Sequence, residues 1–365
     1  MVIINISEPG VDALIFSATG HIDHVSLPKI DLKKLTELSS SLILNRSSDT
    51  GAPEDARAMQ QRNFTASNLQ VTLRMVWYSI IVPIFSRIGI PLESTVQSQP
   101  QSRVWWYPTG PLTFIPIHAA GPYKFNVTVD VSRIVISSYV TTLKSLFQAR
   151  KKITPVPTSG QMKFLTVSQP NTPGQTALPQ STHEALRVVQ IAISAGWPAD
   201  NVVHLHDLNA TVHCVSGALD TSSWVHFACH GSQDPALGTK SAFALHDGHL
   251  ELGQIASKRL STGQFVFLSA CHAAAGLKKL PGEAMHLAAG LQFAGFPSVI
   301  ATMWSIRDDD APKVADHAYR YLFRNGVQAL DPSEAATALN LAILHLREDP
   351  NVTVDRWAPF IHFGI

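Results

Sequence analysis

From Arg103 onward the chain alternates short, wholly apolar runs with longer segments of helical apolar spacing. Phe265-Val-Phe-Leu268 is such a run, and Lys163 to Val167, Trp224 to Cys229 and Ser298 to Met303 are similar. A strand that is apolar at every position is covered on both faces, which is the condition of a parallel sheet between helical layers. Between these runs, helices are predicted over Thr141 to Ala149, Ser181 to Ala195, Ala210 to Leu219, Glu283 to Phe293, Asp309 to Phe323 and Pro332 to Arg347. Further short strands are predicted at Arg103 to Tyr107, Phe114 to Ala119, Arg133 to Tyr139, Asn201 to Leu205 and Pro359 to His362, with a linker over Arg150 to Gly160. Strands that alternate with helices join by right-handed crossovers. The expected fold class is therefore α/β: a three-layer α/β/α sandwich with a mainly parallel sheet, spanning 101–365.

Residues 1–100 read as an α/β extension packed on that core. Val2 to Ile6 and Ala13 to Ser17 are β-like runs around Glu8-Pro9-Gly10, and Leu32 to Leu44 has helical spacing. Ser47 to Pro53 reads as a loop. Asn68 to Val82 reads as a buried helix that Pro83 should kink or end, with Gly89-Ile90-Pro91 closing whatever continues. Apolar runs such as Met75 to Phe85 fall short of the roughly 20 residues a bilayer span needs. The start lacks the basic n-region of a secretory signal. Net charge is +1, so nothing electrostatic favours nucleic acid or an anionic membrane. The three cysteines, Cys214, Cys229 and Cys271, are too few for a disulfide framework and fit a reducing cytoplasmic setting, or equally a nuclear one.

Two strand ends carry reactive groups. Trp224-Val-His-Phe-Ala-Cys-His230-Gly231 ends in His-Gly, and Gln264-Phe-Val-Phe-Leu-Ser-Ala-Cys271 ends in Ser-Ala-Cys. In parallel α/β sheets, ligands bind at the carboxyl ends of strands, so two adjacent strands would bring imidazole and thiol to one crevice. Their separation of 41 positions leaves room for a crossover and an inserted hairpin. A free thiol is mostly protonated at neutral pH, and a neighbouring imidazole supplies the base and then the acid for the leaving amine. Gly231 lets a substrate carbonyl approach the backbone, and the amides of Gly231 and Cys271 are the expected oxyanion donors.

These motifs resemble the CHAT domain, a caspase-like peptidase unit often found behind TPR repeats and related to separases. The matching stretches are Val225 to Gly231, Leu268-Ser-Ala-Cys271, Pro281 to Ala288, Gly295 to Trp304 and the closing Trp357 to Gly364. Upstream, Trp105 to Gly121 and Ile136 to Tyr139 resemble the earlier part of the same unit, notably in fungal members. The resemblance implies a caspase-like sheet, with His230 as general acid/base and Cys271 as nucleophile. It implies a cysteine endopeptidase acting on protein or peptide through a thioester, with no metal or organic cofactor. The nucleophile stretch Ser269-Ala-Cys-His-Ala273 departs from the caspase pattern Gln-Ala-Cys-X-Gly, so cleavage after aspartate is not implied. No TPR array precedes the domain. Trp304-Ser-Ile-Arg-Asp308 resembles a separase stretch whose acidic residue faces a basic P1 side chain, which makes Asp308 an S1 candidate. Ser269 is a second one.

Blander roles compete with these. Asp308 could cap the helix that Asp308-Asp-Asp-Ala-Pro312 introduces. Cys229 and Cys214 read as core thiols. His118 reads as satisfying a local hydrogen bond, His272 as incidental, and Trp105 and Trp106 as packing. His226 shares a strand face with His230, and His204 with His206, but the 16 histidines show no grouped zinc-ligand spacing, so no metal site is expected. The alternative to an enzyme is a catalytically silent scaffold that binds, or waits for, a regulatory protein partner. Arg150 to Lys152 and Gly276 to Pro281 are candidate activation-cleavage stretches.

Overall fold

The wholly apolar runs are strands in the computed structural model. It describes residues 1–7, 10–30, 32–33, 35–37, 39, 67–93, 101–124, 129–152, 162–232, 238–269 and 286–365. β6 (Phe164–Ser168), β8 (Trp224–Ala228), β12 (Phe265–Leu268) and β13 (Ser298–Thr302) are buried at every position, as strands sandwiched between helices must be. They pair in parallel with one another and with the edge strand β7 (Val202–His206), in the order β13-β12-β8-β6-β7.

The sheet does not stop at β13. β14 (Phe360–Gly364) adds antiparallel to β13, and β5 (Ile136–Tyr139) and β4 (Arg103–Pro108) follow in parallel. Next comes the N-terminal meander: β1 (Val2–Ser7) pairs in parallel with β4, then β2 (Gly10–Phe16) and β3 (Ile22–Ser26) fold back as antiparallel partners. The result is one 11-stranded sheet, mostly parallel in its interior. The segment at 114–119 is not a strand. It forms two 3-10 turns, Gly110–Phe114 and Ile117–Ala119, because Pro111 and Pro116 cannot donate to a ladder.

The long helix α1 (Ser67–Ile88) runs on past Pro83. A π-helical stretch, Trp77–Ile81, sits just before the proline, and Gly89 ends the helix in the left-handed conformation at φ +72°. By length and apolarity alone α1 could cross a bilayer, contrary to the run length expected for Met75 to Phe85. Leu69, Leu73, Val76, Ile80, Ile84 and Phe85 are buried in the fold, however, and Phe85 stacks on Trp106 of β4. It is a core helix of this fold. The helix expected at 32–44 is described only in part, and the loop at 47–53 lies outside the described residues.

The helices α2 (Leu143–Lys152), α3 (Pro179–Ser194), α4 (Val212–Leu219), α5 (Leu252–Ser257), α6 (His286–Ala294), α7 (Ala311–Leu322) and α8 (Ala335–Leu346) complete the layers. α3 lies on β6, β7 and β8, and α7 packs between α3 and α8. Tyr319 of α7 reaches the sheet among Phe164, Phe265 and Phe267. On the opposite face a small sheet, β9 (Gly231–Ser232), β10 (Ala242–Ala244) and β11 (His249–Glu251), lies across β8, where Phe243 stacks on Phe227 at 4.2 Å. It is the insertion for which the spacing between His230 and Cys271 leaves room. Arg150 to Lys152 do not belong to a linker: they are the last turn of α2, and Lys152 donates to the carbonyls of Leu260 and Gly295. Residues 153–160 lie outside the described residues.

Gly364 closes β14 at φ +101°, where an added Cβ would collide with the Pro297 carbonyl oxygen. Gly364→Ala is expected to lower stability by at least about 2 kcal/mol, from left-handed strain plus the clash. Urea unfolding of the purified variant measures it.

Candidate active site

His230 follows the last residue of β8 by two positions, with Cys229 buried between. Its Nε2 lies 2.8 Å from the carbonyl oxygen of Thr176. A carbonyl only accepts, so Nε2 carries the proton and donates. Thr176 stands in the loop between β6 and α3. That loop is closed at its base by Gln169 N–H to Ala228 O at 3.0 Å and by Leu178 N–H to Pro170 O at 2.8 Å. The imidazole is therefore held on one tautomer from outside its own strand.

The main chain of His230 is fixed as well, since its carbonyl accepts from Ala244 N at 2.8 Å. In an antiparallel ladder, bonded and non-bonded pairs alternate. The next pair, Gly231 opposite Phe243, is thus a non-bonded one. The N–H of Gly231 points away from β10, and β9 is the open edge of the small sheet. Among the described residues, a backbone donor beside the histidine is left without a strand partner.

β12 runs parallel to β8 with Leu268 opposite Phe227. Ser269 continues it, donating its N–H to Phe227 O at 2.8 Å. By strand alternation its side chain lies on the face of Phe265 and Phe267, where α3 and α7 pack. Its Oγ is buried and has no hydrogen-bond partner among the described residues. Cys271 and His272 lie outside the described residues, as does the stretch from Gly276 to Pro281.

Asp308 precedes α7 but does not cap it: no side chain caps that helix. Its Oδ2 accepts from the Gln180 backbone N–H at 3.0 Å, which makes it a cap on the first turn of α3 instead. The expectation of capping fails in its partner because the turn after β13 brings Asp308 across to the neighbouring helix. Burial raises the Asp308 carboxyl pKa; the bond from Gln180 opposes this, Glu184 and Asp309 add to it, and the nearby His230 lowers it. The carboxylate and the imidazole both bond the segment 176–180 that leads into α3. The turn itself is pinned by Asp310, fully buried and paired with Arg356 through bonds of 2.8 and 2.6 Å.

One turn beyond Gln180 on α3 lies a buried polar group that sequence reasoning missed. Glu184 of α3 places Oε1 3.2 Å from His226 Nε2, with both side chains almost fully buried. Tyr319 Oη is 3.3 Å from His226 Nδ1. Burial and the Glu184 charge push the Tyr319 hydroxyl pKa well up, so it stays protonated and donates to Nδ1, while Glu184 Oε1 and His226 Nε2 have no hydrogen-bond partner among the described residues. The available signal was a glutamate inside the apolar stripe Ser181, Ala185, Val188 and Ala192, where a charge is out of place.

The other candidates separate cleanly. His118 Nδ1 is 2.9 Å from Tyr139 Oη, the local hydrogen bond expected of it. His204 and His206 share a face, both bonding Ser168 Oγ. Among the described residues no three His, Cys, Asp or Glu side chains gather as metal ligands. Cys229 is buried, as expected. Cys214 is exposed, a correction: it sits on the outer side of α4, whose buried residues are Val215 and Leu219. Trp106 is buried packing, whereas Trp105 lies between the guanidinium groups of Arg103 and Arg150.

This mainly parallel, helix-covered sheet is similar to caspase-like folds among the solved structures. The Arg-specific cysteine proteinase gingipain R aligns at TM-score 0.52 and 12% identity, covering 91% of this chain and 74% of its own; a complex of the Porphyromonas gingivalis pro- and mature domains aligns comparably. Separase in the Saccharomyces cerevisiae separase-securin complex aligns at TM-score 0.65 and 10% identity. That alignment covers all of this chain and 30% of the separase chain. No curated relative matches the sequence. The chain belongs to the CHAT domain family, whose model matches residues 72–365.

Proposed function

We propose that the protein is a cysteine endopeptidase with His230 and Cys271 as its dyad. One observation carries the reading: β8 and β12 are adjacent and parallel with a residue offset of 41, and His230 and Cys271 are also 41 positions apart. In this reading Nδ1 of His230 takes the thiol proton, and the thiolate attacks the scissile carbonyl carbon. The peptide C–N bond breaks as the imidazolium returns the proton to the leaving amine. Water then hydrolyses the thioester, releasing the acid and the free thiol. The N–H groups of Gly231 and Cys271 receive the oxyanion.

Asp308 and Ser269 line the S1 side of the crevice in the same proposal. The carboxylate of Asp308 favours a basic P1 side chain, and the hydroxyl of Ser269, without a partner among the described residues, adds a polar contact. Regulation by a protein partner fits a fold seen elsewhere in complexes of separase with securin and of gingipain with its pro-domain.

The test is a peptide library with every P1 residue, read by mass spectrometry, together with a thiol-reactive probe. Cleavage with labelling at Cys271, blocked by a peptide aldehyde, is the expected result. An unlabelled Cys271 under all conditions leaves the scaffold reading in its place.

A further inference from the structure

We propose that Asp308 is a positioning residue for the general base: by capping α3 it holds the loop whose Thr176 carbonyl fixes the tautomer of His230. The proposal rests on the peptidase reading only for its consequence in catalysis, because the positioning itself is a property of the resting fold. The chain of contacts is short. Asp308 Oδ2 accepts from Gln180 N–H at 3.0 Å, and Gln180 is the second residue of α3. Pro179 begins that helix and has no N–H, and Leu178 makes no side-chain cap, so Asp308 supplies the cap that the local sequence lacks. Four residues before Gln180, Thr176 presents its carbonyl to His230 Nε2 at 2.8 Å.

The loop between needs an external anchor. Residues 173–177 are exposed, and its tip contributes no buried side chain to hold it. Its base is tied by Leu178 N–H to Pro170 O, and the other end of the tie is the first turn of α3. The anchor is rigid where it starts, since Asp310, two residues after Asp308, is buried in its two-bond pair with Arg356. Only one oxygen of Asp308 is engaged by the cap. Among the described residues the second has no hydrogen-bond partner, so positioning and P1 selection can reside in one carboxylate.

The two roles separate by substitution. Asp308→Asn keeps an acceptor oxygen and loses the charge, whereas Asp308→Ala loses both. The readouts are the 15N shifts of the His230 ring, which report the protonated nitrogen, and hydrogen exchange at the Gln180 amide, both in the full chain carrying Cys271→Ala. In Asp308→Ala, Gln180 protection is expected to fall about tenfold, the usual worth of a cap, and His230 to lose its single Nε2–H form. Asp308→Asn is expected to retain both signatures. Unchanged ring shifts and exchange in Asp308→Ala overturn the proposal, as does equal loss in the two variants. If the alanine variant does not fold, loss of the Nε2–H form in a folded Asp308→Asn overturns it alone. With cleavage measured on the otherwise unmodified chain, positioning lowers kcat of Asp308→Ala for every P1 residue, while a pocket role alone raises KM for basic P1 only. Neither resting-state readout depends on activity, so an inactive protein does not decide them.

Discussion

Replacing Cys271 with alanine is expected to abolish peptide cleavage, and replacing His230 with alanine to do nearly the same. Members of a nucleophile and base pair act as one unit, so losing either costs about as much as losing both, a fall of roughly 10^3-fold or more in kcat. The two variants should therefore be non-additive: the double variant is no slower than Cys271→Ala. His230→Ala retains a weak thiol reaction that rises with pH, because without the imidazole only the spontaneously ionised fraction of Cys271 attacks. Hydrolysis of the best library peptide by each single variant and by the double variant measures this. Undiminished cleavage by Cys271→Ala would falsify the dyad. No stability effect is expected of His230→Ala beyond a few tenths of a kcal/mol, since its ring is half-exposed and packs no core.

Acid is expected to destabilise the fold steeply from pH 6.5 downward, through two buried histidines. His118 is buried against Tyr139 and Trp357, and burial together with nearby Arg347 lowers its pKa to about 3. His362 lies in a closed network. Ser138 and Arg103 donate to its Nδ1, and its Nε2 donates to Ser298 Oγ at 2.8 Å. Burial first, then the Arg103 charge, pushes its pKa well below the ordinary histidine value. Both rings are neutral in the folded state and ordinary in the unfolded one. Above about pH 6.5 neither state holds the extra proton, and the full stability is present. Below it the unfolded chain binds protons that the fold refuses, so stability falls as pH falls, until the folded pKa is reached. A buried neutral histidine contributes up to about 1.4 kcal/mol per pH unit, so His118 removes roughly 2 kcal/mol between pH 6.5 and 4.5, and His362 acts in the same direction. Urea midpoints at pH 7, 6, 5 and 4.5 give the slope. His118→Gln, which cannot titrate, should lower it by up to one proton's worth. A midpoint that stays level from pH 7 to 5 is incompatible with two buried neutral histidines.

The strands that lead to His230 and Ser269 were legible in the sequence for a simple reason. The wholly apolar runs at Trp224 to Cys229 and Gln264 to Leu268 can only be covered strands, and strand alternation then fixes which side each terminal residue takes. The helices of the C-terminal half were equally readable from their spacing. Where local chemistry was ambiguous, the reading slipped. The apolar stretch at 114–119 resembles a strand in composition, but its prolines turn it into 3-10 segments. The end of α2 resembles a linker because its last turn is basic, and what holds it is the docking of Lys152 on carbonyls more than one hundred residues later. Cys214 reads as core from residue type alone, and its exposure follows from the face that α4 turns to the sheet.

The sequence by itself determined the class of fold and the order of its strands' chemistry: a covered parallel sheet, a histidine and a cysteine each placed beyond an apolar run, and the family that these motifs define. Only the tertiary structure decided the partners. That Thr176 fixes the His230 tautomer, that Asp308 caps α3 and not its own helix, and that Glu184 faces His226 are all contacts across 42 to 128 residues of chain. The physical reason is that periodicity records which face of an element is buried, a property of each segment alone. Which buried or half-buried groups then meet depends on crossover and turn geometry, and no local pattern encodes that.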